Sequence, residues 1–173
     1  VAEHLQDRLR SPIQGWFGHA APFDFAAEYA PAPGIARFQS GTPPILALAA
    51  LECGLDTFAG VAMADVEAKG QALASLFIDE VERRCGIDLG AQRDRARHGS
   101  HVVVPHAEGY AVMQALIASG VIGDFRPPDL MRFGFAPLYN RFADAARAAE
   151  LLGEVLASGE WESPRFRERQ PVP

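Results

Sequence analysis

Three positions in this 173-residue sequence pair a residue type with a setting suited to gripping an anion. The first is Thr42, in Gly41-Thr42-Pro43-Pro44. A glycine, a hydroxyl and a helix start together favour a phosphate or carboxylate, because the first N–H groups of a helix lack partners and its dipole is positive there. The same segment also reads as an ordinary capped helix. The second is Trp16, in Gly15-Trp16-Phe17-Gly18-His19. An indole N–H only donates, so a packed ring can present it to an oxyanion, or the ring can be there simply to bury area. The third is Arg132, set in a strand between large apolar residues, where a guanidinium is costly unless paired or facing water. Bidentate carboxylate recognition suits it; an exposed strand face or a structural salt bridge suits it equally.

Other chemistries find no support. His98, His101 and His106 are close in sequence, but no carboxylate or cysteine completes a ligand set, so no metal is expected. Ser11, Ser40 and Ser100 lack the surroundings of a nucleophile, and no G-x-S-x-G elbow, P-loop or dinucleotide fingerprint occurs. Lys69 is the only lysine beside 15 arginines. Cys53 and Cys85 form no metal-binding pair, and two free thiols suit a reducing, cytoplasmic compartment.

Hydrophobic residues make up 49% and charged residues 22%, enough for a packed core and too ordered a composition for a disordered chain. The net charge of −6 argues against a nucleic-acid-binding face. No apolar run is long enough to cross a membrane as a helix. No charged segment followed by an apolar stretch opens the chain, so no signal peptide is expected. The first residue is Val1, so the chain starts after processing or inside a longer protein.

Positioning these groups falls to the following expected elements. Residues 1–42 read as irregular, punctuated by Pro and Gly and dense in aromatics that need a surface to pack on. From Thr42, whose hydroxyl can cap, a helix that is apolar nearly all round is expected to be deeply buried and to end or bend at Gly54. A long helix follows from about Ala64 to Cys85, closed by Gly86. Ile87 to Leu89 and His101 to Val104 read as strands, with a solvated arginine-rich link over Arg93 to Gly99 between them. A helix is expected over Glu108 to Ser119, a short strand at Val121-Ile122, a turn at Arg126 to Asp129, and a strand over Leu130 to Phe135. That last strand puts Met131, Phe133 and Phe135 on one face and Arg132 on the other. Asn140 should cap a final helix with a stripe of Phe142, Ala145, Ala149, Leu152 and Val155, ended by Gly159; the remainder reads as a mostly exposed tail. The order implies an α/β fold: a small mixed or antiparallel sheet with helices on one face, preceded by a loop-rich segment.

Several motifs also carry a resemblance. Gly15-Trp16-Phe17-Gly18-His19, Tyr29-Ala30-Pro31-Ala32-Pro33-Gly34-Ile35 and Phe38 through Pro44 resemble the kynureninase family. So do Glu52 to Asp56, Arg97-His98-Gly99-Ser100-His101, Gly109 to Val112, Val121 to Arg126 and Leu130 to Tyr139, in collinear order to the tail. The chain is similar to the C-terminal part of a bacterial member. That resemblance implies a small C-terminal domain of a pyridoxal-phosphate enzyme of the aspartate-aminotransferase fold type. Residues 1–60 would be the edge of the large cofactor domain and dimer interface, and 61–173 the small α/β domain. It implies hydrolysis of the Cβ–Cγ bond of L-kynurenine, and of 3-hydroxykynurenine as a further substrate, to anthranilate and L-alanine in tryptophan catabolism, by a homodimer. Trp16 and Thr42 match positions that contact the cofactor phosphate, and Arg132 the arginine that binds the substrate carboxylate. The family's imine-forming lysine lies in a segment preceding the Trp16 loop that this chain lacks. Lys69 matches no such motif and is expected to be a solvated helix residue, which leaves the chain inactive without a separate N-terminal cofactor domain. Rival readings are a cysteine desulfurase or aminotransferase of the same fold type, or a purely structural, dimer-forming module.

Overall fold

The computed structural model describes residues 1–94 and 99–169. Arg95, Ala96, Arg97 and His98 of the arginine-rich link therefore lie outside the described residues, and His98 with them. The chain divides into two compact units, Val1–Ala59 and Gly60–Pro173.

The first unit is mostly irregular. It holds a short helix α1 (Glu3–Gln6), 3-10 turns over Trp16–Gly18 and Gly34–Phe38, and helix α2 (Ile45–Asp56). His19 and Pro31 form an isolated antiparallel bridge, and Ala20 N and Ala32 N donate to Ala30 O and Gly18 O at 2.8 Å. Arg37 ties the unit together by donating to Gln6 O at 3.0 Å and Ala32 O at 3.1 Å while pairing with Asp7 at 2.8 Å.

Helix α2 differs from the sequence reading in three ways. Its N-cap is Pro44, with no side-chain cap, so Thr42 does not cap it. A residue before proline is steered to extended conformations, and here two prolines in succession hold Thr42 and Pro43 out of the helix. Gly54 does not end it either: the helix runs to Asp56, where Thr57 closes it by donating its hydroxyl to Gly54 O at 2.7 Å. Last, the helix is not buried; every residue from Ile45 to Asp56 is exposed, Leu46 at 88%.

The second unit carries the core. Helix α3 (Met63–Cys85) follows the expected period, burying Gly70, Leu73, Ala74, Phe77, Ile78 and Val81 at helical spacing. Gly86 ends it at φ 67°, a left-handed conformation that glycine adopts without strain. Strands β1 (His101–Pro105), β2 (Asp124–Arg126) and β3 (Leu130–Gly134) form an antiparallel sheet in the order β1-β3-β2. Helix α4 (Gly109–Ala118) lies between β1 and β2 in sequence, and α5 (Phe142–Ser158) and the short α6 (Pro164–Arg167) follow β3. Val102, Val104, Met131 and Phe133 face the helices, and α3 packs along α5 through Ala145, Ala149, Leu152 and Val155. The fully buried Phe77 meets Phe133 at 4.8 Å and Phe135 at 5.4 Å between ring centres. Burying a side chain of this size contributes about 1.5–3 kcal/mol.

Several expected elements shift. Ile87 to Leu89 is not a strand; Leu89 is buried and its N–H goes to Glu82 Oε1 at 2.9 Å, so a side chain takes the place of a ladder partner. The short strand is Asp124–Arg126, not Val121-Ile122: Val121 N instead closes α4 by bonding Leu116 O, and Ile122 is 87% exposed. Arg141, not Asn140, is the N-cap residue of α5; its N–H donates to Asp144 Oδ2 at 2.8 Å and its guanidinium pairs with the same carboxylate at 2.7 Å. The Asn140 carboxamide is used elsewhere, accepting from Ala136 N at 2.7 Å. Phe142 is 47% exposed and leaves the stripe. The described tail is mostly exposed, as expected, though Phe166 is buried and Trp161 packs on the core. At the outer edge of β1, the Gln92 carboxamide donates to Val103 O at 2.6 Å and accepts from Val103 N at 2.8 Å.

Candidate functional site

In the first unit, two glycines determine where Trp16 sits. A Cβ on Gly15 would lie 1.6 Å from Ser40 O, and one on Gly18 would lie 2.5 Å from Gln39 O. Only bare backbone permits this approach, so the turn carrying Trp16 is pressed onto the stretch that runs from Arg37 into Gly41 and Thr42. The Trp16 and Thr42 segments are thereby adjacent. Trp16 stands edge-on to Phe17 (4.7 Å) and Phe23 (5.3 Å), which fix its ring while leaving it 46% exposed. Thr42 is exposed as well. Among the described residues neither the indole N–H nor the Thr42 hydroxyl has a hydrogen-bond partner. Both are donors with unspent capacity.

The loop behind Trp16 is held by His19 and Tyr29. Ala21 N donates to His19 Nδ1 at 2.9 Å, which leaves the proton on Nε2 to be donated to Glu28 O at 3.2 Å. The Tyr29 hydroxyl donates to Gly18 O at 2.9 Å. Sequence reasoning missed these two supports, although both sit inside the motifs that carry the resemblance.

In the second unit, Arg132 projects from the open face of the sheet. Strand register places it beside Val103 on one neighbour and Asp124 on the other. Arg132 Nε donates to Asp124 Oδ1 at 3.0 Å and Nη2 to Oδ2 at 2.5 Å, a side-on bidentate pair. Arg126 Nη2 shares the same Oδ2 at 3.2 Å. The Arg132 hydrogen bond, working against burial and helped by the charge of Arg126, holds the Asp124 carboxyl below the usual aspartate range. The guanidinium's other edge, Nη1 with the second Nη2 hydrogen, has no partner among the described residues, and Arg132 is one wall of an open cleft of about 500 Å³ that also includes Ser100, His101 and Tyr139. Two arginines against one carboxylate leave this face net positive.

Asp124 was within reach of the sequence. A turn at 127–129 folds the chain back so that 126 meets 130 and 124 meets 132. Counting three residues outward from each side of 127–129 reaches 124 and 132 and finds the partner.

Lys69 is not a solvated helix residue. It is half-buried and donates from Nζ to Pro137 O at 2.6 Å, while a Cβ on neighbouring Gly70 would meet Pro137 Cγ at 3.2 Å. The lysine pins the loop that follows β3. Cys53 and Cys85 are free thiols, and among the described residues no group of three or more His, Cys, Asp or Glu side chains could hold a metal ion. Among the same residues no helix is long and apolar enough to cross a membrane.

The second unit is an α/β domain with an arginine at the open face of its sheet, and comparison with known proteins identifies its family. Residues 66–152 match the family model described as the kynureninase C-terminal domain. The chain belongs to the kynureninase family. It is 47% identical to a kynureninase of Pseudomonas fluorescens over 99% of its own length, and 46% identical over the same share to kynureninases of Burkholderia mallei and Burkholderia pseudomallei. It spans 42% of the length of each of these relatives.

Proposed function

We propose that this chain is the C-terminal part of a cytoplasmic, homodimeric enzyme that uses pyridoxal phosphate to hydrolyse the Cβ–Cγ bond of L-kynurenine to anthranilate and L-alanine. The identity to kynureninases across nearly the whole chain supports this reading. The observation that carries it is the Gly15–Ser40 approach, which sets two unspent donors, Trp16 and Thr42, on adjacent segments. A phosphate group needs that kind of grip, and the residues present fit it. Pyridoxal phosphate, when bound, serves as an electron sink for carbanion chemistry.

This chain's own residues bind and orient. The Trp16 N–H and the Thr42 hydroxyl would hold the phosphate. Arg132 takes the substrate α-carboxylate, the second anion the reaction must hold. No residue here fits the imine-forming role, because the only lysine is committed to the Pro137 carbonyl. That lysine is contributed by the rest of a longer polypeptide, and the 173 residues alone are inactive. The break between Ala59 and Gly60 supports a boundary at about residue 60 between the cofactor-domain edge with its dimer interface and the small domain.

The test is a polypeptide of full family length carrying this chain. With added cofactor it should release anthranilate from L-kynurenine, read by anthranilate fluorescence, and Arg132→Ala should raise KM at least about tenfold, the loss of a charged hydrogen bond of about 1.5–3 kcal/mol. An Arg132→Ala variant that loses cofactor and keeps substrate affinity would overturn the assignment.

A further inference from the structure

We propose that Asp124 is a positioning residue: it clamps the side-on edge of Arg132 so that only the end-on edge is offered to the carboxylate of an α-amino acid. This rests on the reading of Arg132 given above and adds a residue to it. A guanidinium has two forks that can take a carboxylate in bidentate fashion, one at Nε with Nη2 and one at Nη1 with Nη2. Asp124 occupies the first with both of its oxygens. Arginine side chains carry large rotamer freedom, and Arg132 is 37% exposed, so without a partner its head would sample the cleft. Asp124 is held in turn by the hairpin itself, directly across from Arg132 in the β2–β3 register, and by Arg126 on the same oxygen.

The geometry also explains why the pair does not cancel the site. Arg126 and Arg132 share one carboxylate, so the face keeps a positive charge for a second one. Gly123, just before Asp124, leaves no room for a side chain: a Cβ there would lie 2.8 Å from Arg132 O and 2.7 Å from Met113 Cε. The backbone of β3 and the residue preceding Asp124 are thus in contact, which fixes the spacing between the two charged groups. An incoming carboxylate finds a fork already aimed, with its orientation set before binding.

The experiment uses the full-length polypeptide with two ligands: L-kynurenine, and kynuramine, the same molecule without the α-carboxylate, tested as a competitive inhibitor. Asp124→Asn should raise the KM for L-kynurenine about tenfold with kcat changed less than about twofold, and leave the inhibition constant of kynuramine unchanged. On an Arg132→Ala background the same substitution should add nothing. Asp124→Glu, which keeps the charge and displaces the carboxylate by one methylene, should give a smaller rise of the same kind and serves if the asparagine variant does not fold. An unchanged KM in Asp124→Asn, with Arg132→Ala still impaired, would overturn the positioning role while leaving the reading of Arg132 intact. An equal loss for both ligands, or an additive double variant, would also overturn it, because a merely structural residue behaves that way. If Arg132→Ala itself binds L-kynurenine normally, the underlying reading fails and the inference falls with it.

Discussion

The adjacency of Trp16 and Thr42 can be broken by one methyl group. In Gly15→Ala the new Cβ would sit 1.6 Å from Ser40 O, whereas real Cβ contacts are not found below about 3.0 Å. The turn and the Ser40 segment must therefore separate by about 1.4 Å or more. The obstacle is backbone on both sides, so no side chain can swing away to absorb it. Overpacking of this kind costs about 1–3 kcal/mol, and a rigid backbone clash belongs at the upper end. A hydrogen bond of about 2.9 Å stretched by 1.4 Å is no longer one, so one of the two donors proposed for the phosphate is lost. A hydrogen bond to a charged group contributes about 1.5–3 kcal/mol, which predicts cofactor affinity weakened by roughly 10- to 150-fold. Gly54→Ala, in the exposed helix α2, is the matched control, because a Cβ there meets nothing within 4 Å. The assay is visible absorbance of the full-length polypeptide after dialysis against graded pyridoxal phosphate, with circular dichroism at 222 nm to confirm folding. Equal cofactor retention by the two variants would refute the reasoning.

Three further outcomes are expected. Phe77→Ala removes a fully buried ring packed at a tilt against Phe133 and Phe135 and should cost about 3–5 kcal/mol in urea unfolding; a loss under 1 kcal/mol would mean the core is not packed as described. The Asp124 carboxyl titrates below its ordinary value of about 3.9, so the ion pair stabilises fully above that value and is lost only as pH falls through the lowered one. Substrate capture should show no inflection from this group between about pH 5 and 8, and the stability lost in acid should be at most about 1 kcal/mol, because both side chains are over a third exposed. Burial pushes the Cys85 thiol up while Cys53 is exposed, so iodoacetamide at pH 8 should label Cys53 first in this chain, as read by peptide mass; faster labelling of Cys85 would contradict the burial.

Much of the second unit was legible because its long elements repeat one signal many times. The α3 stripe runs over three turns and ends on a glycine, and the Val102-Val104 and Met131-Phe133 alternations each bury one face. Strand β2 was missed because three residues, Asp-Phe-Arg, hold no period; it exists only as the reflection of β3 across a turn. The cap at Thr42 failed because two prolines impose their own backbone geometry on the residues before them. The burial expected of α2 failed for a different reason: apolar composition records the surroundings a helix is suited to, and among the described residues of its own unit none covers it. At the site, the ambiguity over Arg132 was a real property of the residue, which is ion-paired and at the same time exposed to the cleft. The bond between Lys69 and Pro137 spans 68 positions and leaves no local trace in the sequence.

The Gln92 carboxamide copies, with a side chain, the pair of bonds that a neighbouring strand would make to Val103. An unpaired edge strand invites extra strands to add on, and here the midpoint of that edge is already taken. The opposite margin is β2, only three residues long. Another copy thus finds little template for extending the sheet. Replacing Gln92 with leucine would reopen a route to fibrous growth that the native amide closes.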